Sequence, residues 1–221
     1  LYAEVVMYQN DDSRLNQALK YMEEIIKSGQ YDLGSNFAGL WEESGEWSQE
    51  SIFEINYFSR NAVRSWDSPT TDGGSVYPKF IGIYNLAGSP DYDGGWGFEP
   101  VRADAYALYD DNDQRRDGGI LNFAKYAEQT GATYQARYQD QGYFLKKYMA
   151  RKDGNANHSA DADLNYNNNF RVYRYAETLL NAAELIARGA SGTGTEQSYL
   201  DKVRTRAGLN AISPSVENII K

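Results

Sequence analysis

The sequence predicts a mainly α protein in which two helical hairpins bracket a long loop-rich insertion with short strands, and three observations carry that class. Apolar residues recur at intervals of three and four over 15–26, the signature of an amphipathic helix. The same spacing returns over 173–187 and again over 199–207. Between these segments the chain changes character. From Ser65 to Gly97 it is crowded with Pro, Gly, Asp and Ser in turn-forming combinations.

The elements follow in order. Leu1 to Gln9 reads as a helix with Leu1, Val5 and Tyr8 on one face. Asn10 to Ser13 is a turn rich in N-cap residues. Leu15, Ala18, Leu19, Met22, Ile25 and Ile26 then form the buried stripe of a second helix, with Lys20, Glu23, Glu24 and Lys27 on its wet side and Gly29 as its stop. Trp41 and Trp47 flank an acidic stretch beside it and read as packing residues. Ser51 to Tyr57 alternates Phe53, Ile55 and Tyr57 against Glu54 and Asn56, which predicts a strand with the aromatic and aliphatic side chains inward. Pro100 to Tyr109 reads as a short helix. Ile120 to Phe123 and Tyr143 to Tyr148 read as strands, and Gly154 to Asn169 as a polar loop holding a solvent-facing His158.

The last hairpin has the richest pattern. Tyr173, Ala176, Leu180, Ala183 and Ala187 make one stripe, broadened by Leu179, Ala182 and Ile186, so this helix is expected to pack on more than one side. Gly189 ends it. Thr193 and Glu196 fit a capping box for the next helix, whose stripe is Tyr199, Leu200, Val203 and Ala207. Small residues at such contacts let hairpins stack in the manner of tetratricopeptide repeats, and two hairpins fall short of the roughly three repeats a solenoid needs. Val216, Ile219 and Ile220 open a further helical pattern just as the chain stops. The expectation is one truncated domain over 1–221, with helical hairpins at 1–50 and 168–221 and the insertion at 51–167.

Composition narrows the function. The 221 residues carry a net charge of -9 and no basic tract, which argues against nucleic-acid binding. Zero Cys excludes thiolate metal sites and cysteine nucleophiles, and a single His excludes a multi-His metal cage. No stretch approaches the ~20 apolar residues of a membrane helix. The first 50 residues carry a net -7 and the last 54 a net +2, so the two ends either attract one another or present solvated faces. Walker, Rossmann and nucleophile-elbow motifs do not occur, and Gly192-x-Gly194 is a linker.

Nineteen Tyr and four Trp are the compositional outlier. Aromatic rings stack on the apolar faces of pyranose rings, while Asn, Asp and Arg bond their hydroxyls. Trp66, Tyr77, Tyr84, Tyr92 and Trp96 lie in or beside the insertion loops, with Asn85, Asp91 and Arg102 as hydroxyl readers, and these eight are the candidate ligand-binding residues. Trp66 and Trp96 lead, because their neighbours favour irregular backbone. The acidic clusters Asp91/Asp93, Asp110/Asp111/Asp113 and Asp161/Asp163 raise a glycoside hydrolase as an alternative, and none follows a calcium-loop pattern. A helical protein–protein scaffold is the other alternative. No cofactor or metal is expected.

Specific stretches resemble the SusD/RagB family. Asn169 to Glu184 is similar to its R-Y-A-E-x-L-L-x-x-A-E helix, and Tyr199 to Leu209 to the helix that follows. Ala18 to Gly29 with Tyr31-Asp-Leu33 resembles an earlier helix and turn, Ser51 to Glu54 a strand, and Asp110 with Asp113 to Arg115 a "D-x-R" segment. The resemblance implies an outer-membrane, cell-surface lipoprotein without catalytic residues. Such a protein binds an oligosaccharide or polysaccharide and passes it to a SusC-like TonB-dependent transporter. This chain lacks the lipobox Cys, the early helices and a late acid-and-arginine-rich helix of that pattern.

Overall fold

In the computed structural model the described residues are 1–59, 64–68, 73–152 and 160–220. The chain opens with helices α1 (Tyr2–Tyr8) and α2 (Leu15–Lys27), then strand β1 (Ser51–Ile55). Short helices α3 (Tyr77–Ile81), α4 (Ala103–Ala107) and α5 (Gln114–Gly119) precede β2 (Ile120–Asn122), α6 (Phe123–Thr130) and β3 (Tyr143–Leu145). Strand β4 (Phe170–Arg174) leads into α7 (Tyr175–Ala187), α8 (Glu196–Arg206) and α9 (Val216–Ile220). The structure is thus mostly helical with a few short strands. It divides into two compact units. One is Leu1–Ser35, Trp47–Glu54 and Arg171–Lys221; the other is Asn36–Glu46 and Ile55–Phe170.

The first unit is built around α7. Leu179, Ala182, Ala183 and Leu185 are fully buried, and α7 packs on α2 and on α8. The wide apolar stripe exists because both sides of the helix are covered. Leu15, Ala18, Leu19 and Met22 of α2 join this core, as do Tyr199, Leu200 and Val203 of α8. Acidic and basic ends meet here. Glu50, 1% exposed, accepts hydrogen bonds from Arg174 and Arg206 at 2.7 Å each and from the Gly34 amide at 3.0 Å. The attraction between the chain ends is realised as a buried charge cluster, not as two solvated faces.

Five expectations for this unit need correction. In α1 the buried side chains are Ala3, Val6 and Met7, while Leu1, Val5 and Tyr8 face solvent. Strand β1, paired with β4, has the predicted alternation with the opposite sign. Phe53 and Ile55 are exposed and Glu54 is buried, because its carboxylate accepts from the Trp47 amide at 3.1 Å and faces Arg171 at 3.7 Å. Trp47 itself is exposed, not packed. Glu23 lies inside rather than on the wet side, gripped by the Thr193 amide and hydroxyl, the Gly194 amide and the Tyr199 hydroxyl. Thr193 is therefore occupied elsewhere, and the capping box of α8 is made by Thr195 with Ser198.

The second unit has two apolar clusters. One holds Ile83, Tyr92, Leu121, Phe123, Tyr126, Phe144 and Met149; the other holds Phe37, Leu40, Trp41, Ile81 and Tyr148. Strands β2 and β3 pair antiparallel with Leu121 opposite Phe144. Both are shorter than predicted. Asn122 caps α6 by accepting from the Lys125 amide, so Phe123 is already helical, and Tyr148 sits at a positive φ of 61° that strand geometry does not tolerate. The helix expected over 100–109 occupies only Ala103–Ala107. Helices α3, α5 and α6 form inside what reads as loop and strand, each too short for its periodicity to stand out. In the polar loop, Asn165 is fully buried, donating to the Arg64 and Asp161 carbonyls and accepting from the Gly74 amide. Part of that loop, with Gly154 and His158, and Pro69 of the earlier loop lie outside the described residues.

Candidate functional site

The glycine-rich loop after Asp93 is laid along the end of α3. The amides of Gly95, Trp96, Gly97 and Phe98 donate in turn to the carbonyls of Ile83, Lys79, Gly82 and Phe80, at 2.7–3.1 Å. This close approach explains the glycines: a Cβ on Gly95 would collide with the Gly82 backbone, and Gly97 takes a φ of 70°. The ladder holds Phe80, Trp96 and Phe98 together, and Trp66 joins them from a separate loop. Trp96 lies 5.9 Å from Trp66 at an interplanar angle of 32°, and meets Phe80 and Phe98 edge-on. Phe80 and Phe98 are 4.6 Å apart. Trp66 is 57% exposed, and its amide is tied to Asp161 at 2.8 Å. Trp96 is half-buried, so it both anchors the loop and contributes ring surface.

A polar margin runs along one side of the cluster. The Arg137 guanidinium sits 5.0 Å over the Tyr84 ring and 4.9 Å over the Phe98 ring, and donates to the Trp96 carbonyl. The Gln135 amide donates to the Tyr84 carbonyl at 3.1 Å, and Asn85 Nδ2 donates to Gln135 Oε1 at 2.8 Å. Asn85 and Gln135 are exposed. The arrangement offers flat apolar faces flanked by a guanidinium and amides, in a framework set before any ligand arrives.

The structure thus brings together Trp66, Trp96, Tyr84 and Asn85 of the eight candidates. The other four stand apart from this cluster or differ from expectation. Tyr77 is turned into packing against Tyr148 and Phe170, and donates to Glu99 at 3.0 Å; burial, helped by Glu99, pushes its phenol up to about 12. Tyr92 is a core residue, edge-on to Tyr126 with Arg151 over its face, and takes no part in this cluster. Asp91 is exposed and accepts from the Tyr126 hydroxyl at 3.0 Å, lining a different cleft. Arg102 is exposed and closed on Asp104 in a two-bond pair. Phe80, Phe98, Gln135 and Arg137 are the members that sequence reasoning missed. Only Phe98, directly after Trp96-Gly97, carried a signal.

The acidic clusters have structural partners. Asp93 pairs with Lys152 at 3.2 Å and Asp163 with Lys79 at 3.1 Å. Asp113 caps α5 and bonds Arg115, and Asp111 bonds Arg116. Among the described residues no group of three or more His, Cys, Asp or Glu is placed to hold a metal ion, and no helix is long and apolar enough to cross a membrane.

The model of the SusD family matches residues 49–220. Surface glycan-binding protein A from Bacteroides thetaiotaomicron is similar at 50% identity and a TM-score of 0.91, over 99% of this chain and 48% of that one. A structure of that name and organism in complex with laminarihexaose gives 51% identity and a TM-score of 0.93, again over 99% and 48%. A laminarin binding SusD-like protein gives 31% identity and a TM-score of 0.81, over 99% and 48%. The chain spans about half the length of these relatives. No curated protein matches it.

Proposed function

The chain belongs to the SusD family, and on that premise we propose that it carries an aromatic glycan-binding platform for a laminari-oligosaccharide on the cell surface. The observation that carries the reading is the Trp66–Trp96 pair, backed by Phe80 and Phe98 and flanked by Arg137 and Asn85. An exposed indole beside a half-buried one, inclined by 32°, offers ring surface to the flat C–H faces of sugar rings, and the flanking donors suit hydroxyls. The name of a relative bound to laminarihexaose supports the choice of sugar. Tyr84 acts through Arg137, which lies over its ring. Within the whole protein the captured glycan passes to a SusC-like TonB-dependent transporter, and the protein is held at the outer membrane by a lipid anchor. The helical hairpins α1/α2 and α7/α8 serve as a tetratricopeptide-like scaffold. The action is capture without turnover.

Calorimetric titration with laminarihexaose tests this. Trp66 is the better probe because its exposure makes truncation gentle on the fold. Trp66→Ala is expected to weaken affinity about five- to tenfold, the worth of one stacked ring at ~1–1.4 kcal/mol, with an almost unchanged melting temperature. Incubated with the sugar, the wild-type chain is expected to release no new reducing ends. Unaltered affinity in both Trp66→Ala and Trp96→Ala sinks the platform, and reducing-sugar release abolished by Asp91→Asn would restore the hydrolase alternative.

A further inference from the structure

The second unit contains a cleft that shares no residue with the aromatic platform. Its volume is about 310 Å³, at the lower end of the range for ligand clefts (~300–1,000 Å³). Its floor is apolar: Ile120 and Leu121 of β2 with Tyr92 and Tyr126, all buried. Its margin is polar and of mixed charge: Asp91, Asp117, Lys125, Lys146 and Gln129. An apolar base with a few converging polar groups is the usual form of a small-molecule site.

The polar groups are held in place from behind. Tyr126 donates to Asp91 Oδ2 at 3.0 Å and shares a 2.7 Å hydrogen bond with the Ser89 hydroxyl, which accepts from the Tyr92 amide. Asp117 Oδ1 accepts from the Tyr106 hydroxyl at 3.0 Å and from Arg116 at 3.2 Å. Burial alone would raise the Asp117 carboxyl, but these bonds outweigh it and lower its pKa, so it stays an acceptor. Lys146 donates to the Asp117 carbonyl at 3.0 Å with one of its three protons. Burial, with Arg151 nearby, lowers its pKa, and it is a donor in either protonation state. Asp91 commits one carboxylate oxygen to the chain, and Lys125 and Gln129 are exposed at the rim.

The charges decide the ligand class. Two carboxylates disfavour an anion, and two ammonium groups disfavour a cation. A hydroxyl both donates and accepts, so a neutral polyol satisfies Asp and Lys neighbours at once, while its ring C–H face rests on the apolar floor. We propose that this cleft is a second, independent site for a short neutral saccharide. It stands whether or not the Trp66–Trp96 platform binds glycan.

Amide shifts of the ¹⁵N-labelled chain, followed as laminaribiose is added to about 50 mM, test it. Saturable shifts are expected over Asn122–Gln129, and they are expected to persist in Trp66→Ala. The double variant Lys125→Ala/Gln129→Ala alters exposed side chains only and should raise the dissociation constant about tenfold by removing two hydrogen bonds. The proposal is overturned by absent or non-saturating shifts in the wild type, by shifts that vanish in Trp66→Ala, or by an undiminished response in the double variant. It is equally overturned if sodium glutamate or phosphate saturates the same amides at lower concentration, which would mark a site for charged ligands. Failure of the platform is read separately, from laminarihexaose affinity in Trp66→Ala.

Discussion

Arg137 holds the platform's polar edge by geometry that a point charge cannot reproduce. Its planar guanidinium lies against Tyr84 and Phe98 while bonding the Trp96 carbonyl. Lysine keeps the charge and loses both the plane and the fork. Arg137→Lys is therefore expected to weaken laminarihexaose affinity about two- to fivefold, the worth of one misplaced hydrogen-bond donor at ~0.5–1 kcal/mol, with a small loss of stability from the cation–π contacts given up. A marked loss of stability at constant affinity would make Arg137 a loop clamp only. At this scale the sequence exposes part of the site. Trp66 and Trp96 stand out because Gly, Pro and Asp neighbours disfavour regular structure around them. Arg137 and Gln135 do not, because they reach the site through an Arg137 side-chain bond to the distant Trp96 carbonyl and a Gln135 backbone bond to the distant Tyr84 carbonyl, which leave no local pattern. Tyr92 misled for the converse reason: its loop setting says nothing of the Tyr126 and Arg151 that enclose it.

Among the elements, α7 makes the sharpest prediction. Ala183 is fully buried in α7, which packs on both α2 and α8. Ala183→Leu should destabilise by roughly 1–3 kcal/mol through overpacking, read as a shifted denaturant midpoint at constant slope. A change near zero would mean the contact has room. Helices α2, α7 and α8 were legible because a 3.6-residue period is a local property of the chain. Which way β1 faces was not, since period two fixes alternation but not its sign. The sign comes from Arg171, a partner more than a hundred residues away. Glu23 follows the same rule. On its own helix it belongs to the polar side, and only the Thr193–Gly194 amides of the distant loop make a buried acceptor worthwhile.

For the molecule as a whole, two carboxyls set opposing limits on pH stability. Burial would raise Glu23, but the hydrogen bonds from Gly194, Thr193 and Lys27 outweigh it and hold it at about 2, against an ordinary 4.5. A depressed folded pKa gives stability that is complete above 4.5 and is lost as pH falls from there toward 2. Glu177 at the start of α7 runs the other way. Burial first, then the adjacent Glu4, pushes it up to about 7, while Arg174 offsets this in part. The Tyr173 hydroxyl donates to Glu4 at 3.2 Å and leaves Glu177 to carry the repulsion. Between pH 4.5 and 7 the unfolded chain ionises this carboxyl and the folded chain does not, so stability falls as pH rises through that window and levels off above it. The two slopes meet near pH 4.5. Denaturant unfolding at pH 3, 4.5 and 7.5 should therefore show its highest midpoint at pH 4.5, with each limb worth about 1–3 kcal/mol. Glu177→Gln should flatten the alkaline limb and raise stability at pH 7.5, leaving the acid limb intact. A variant that still declines from pH 4.5 to 7, or that is weaker than wild type at pH 7.5, would show that the Glu4–Glu177 contact supports the α1–α7 packing instead of straining it.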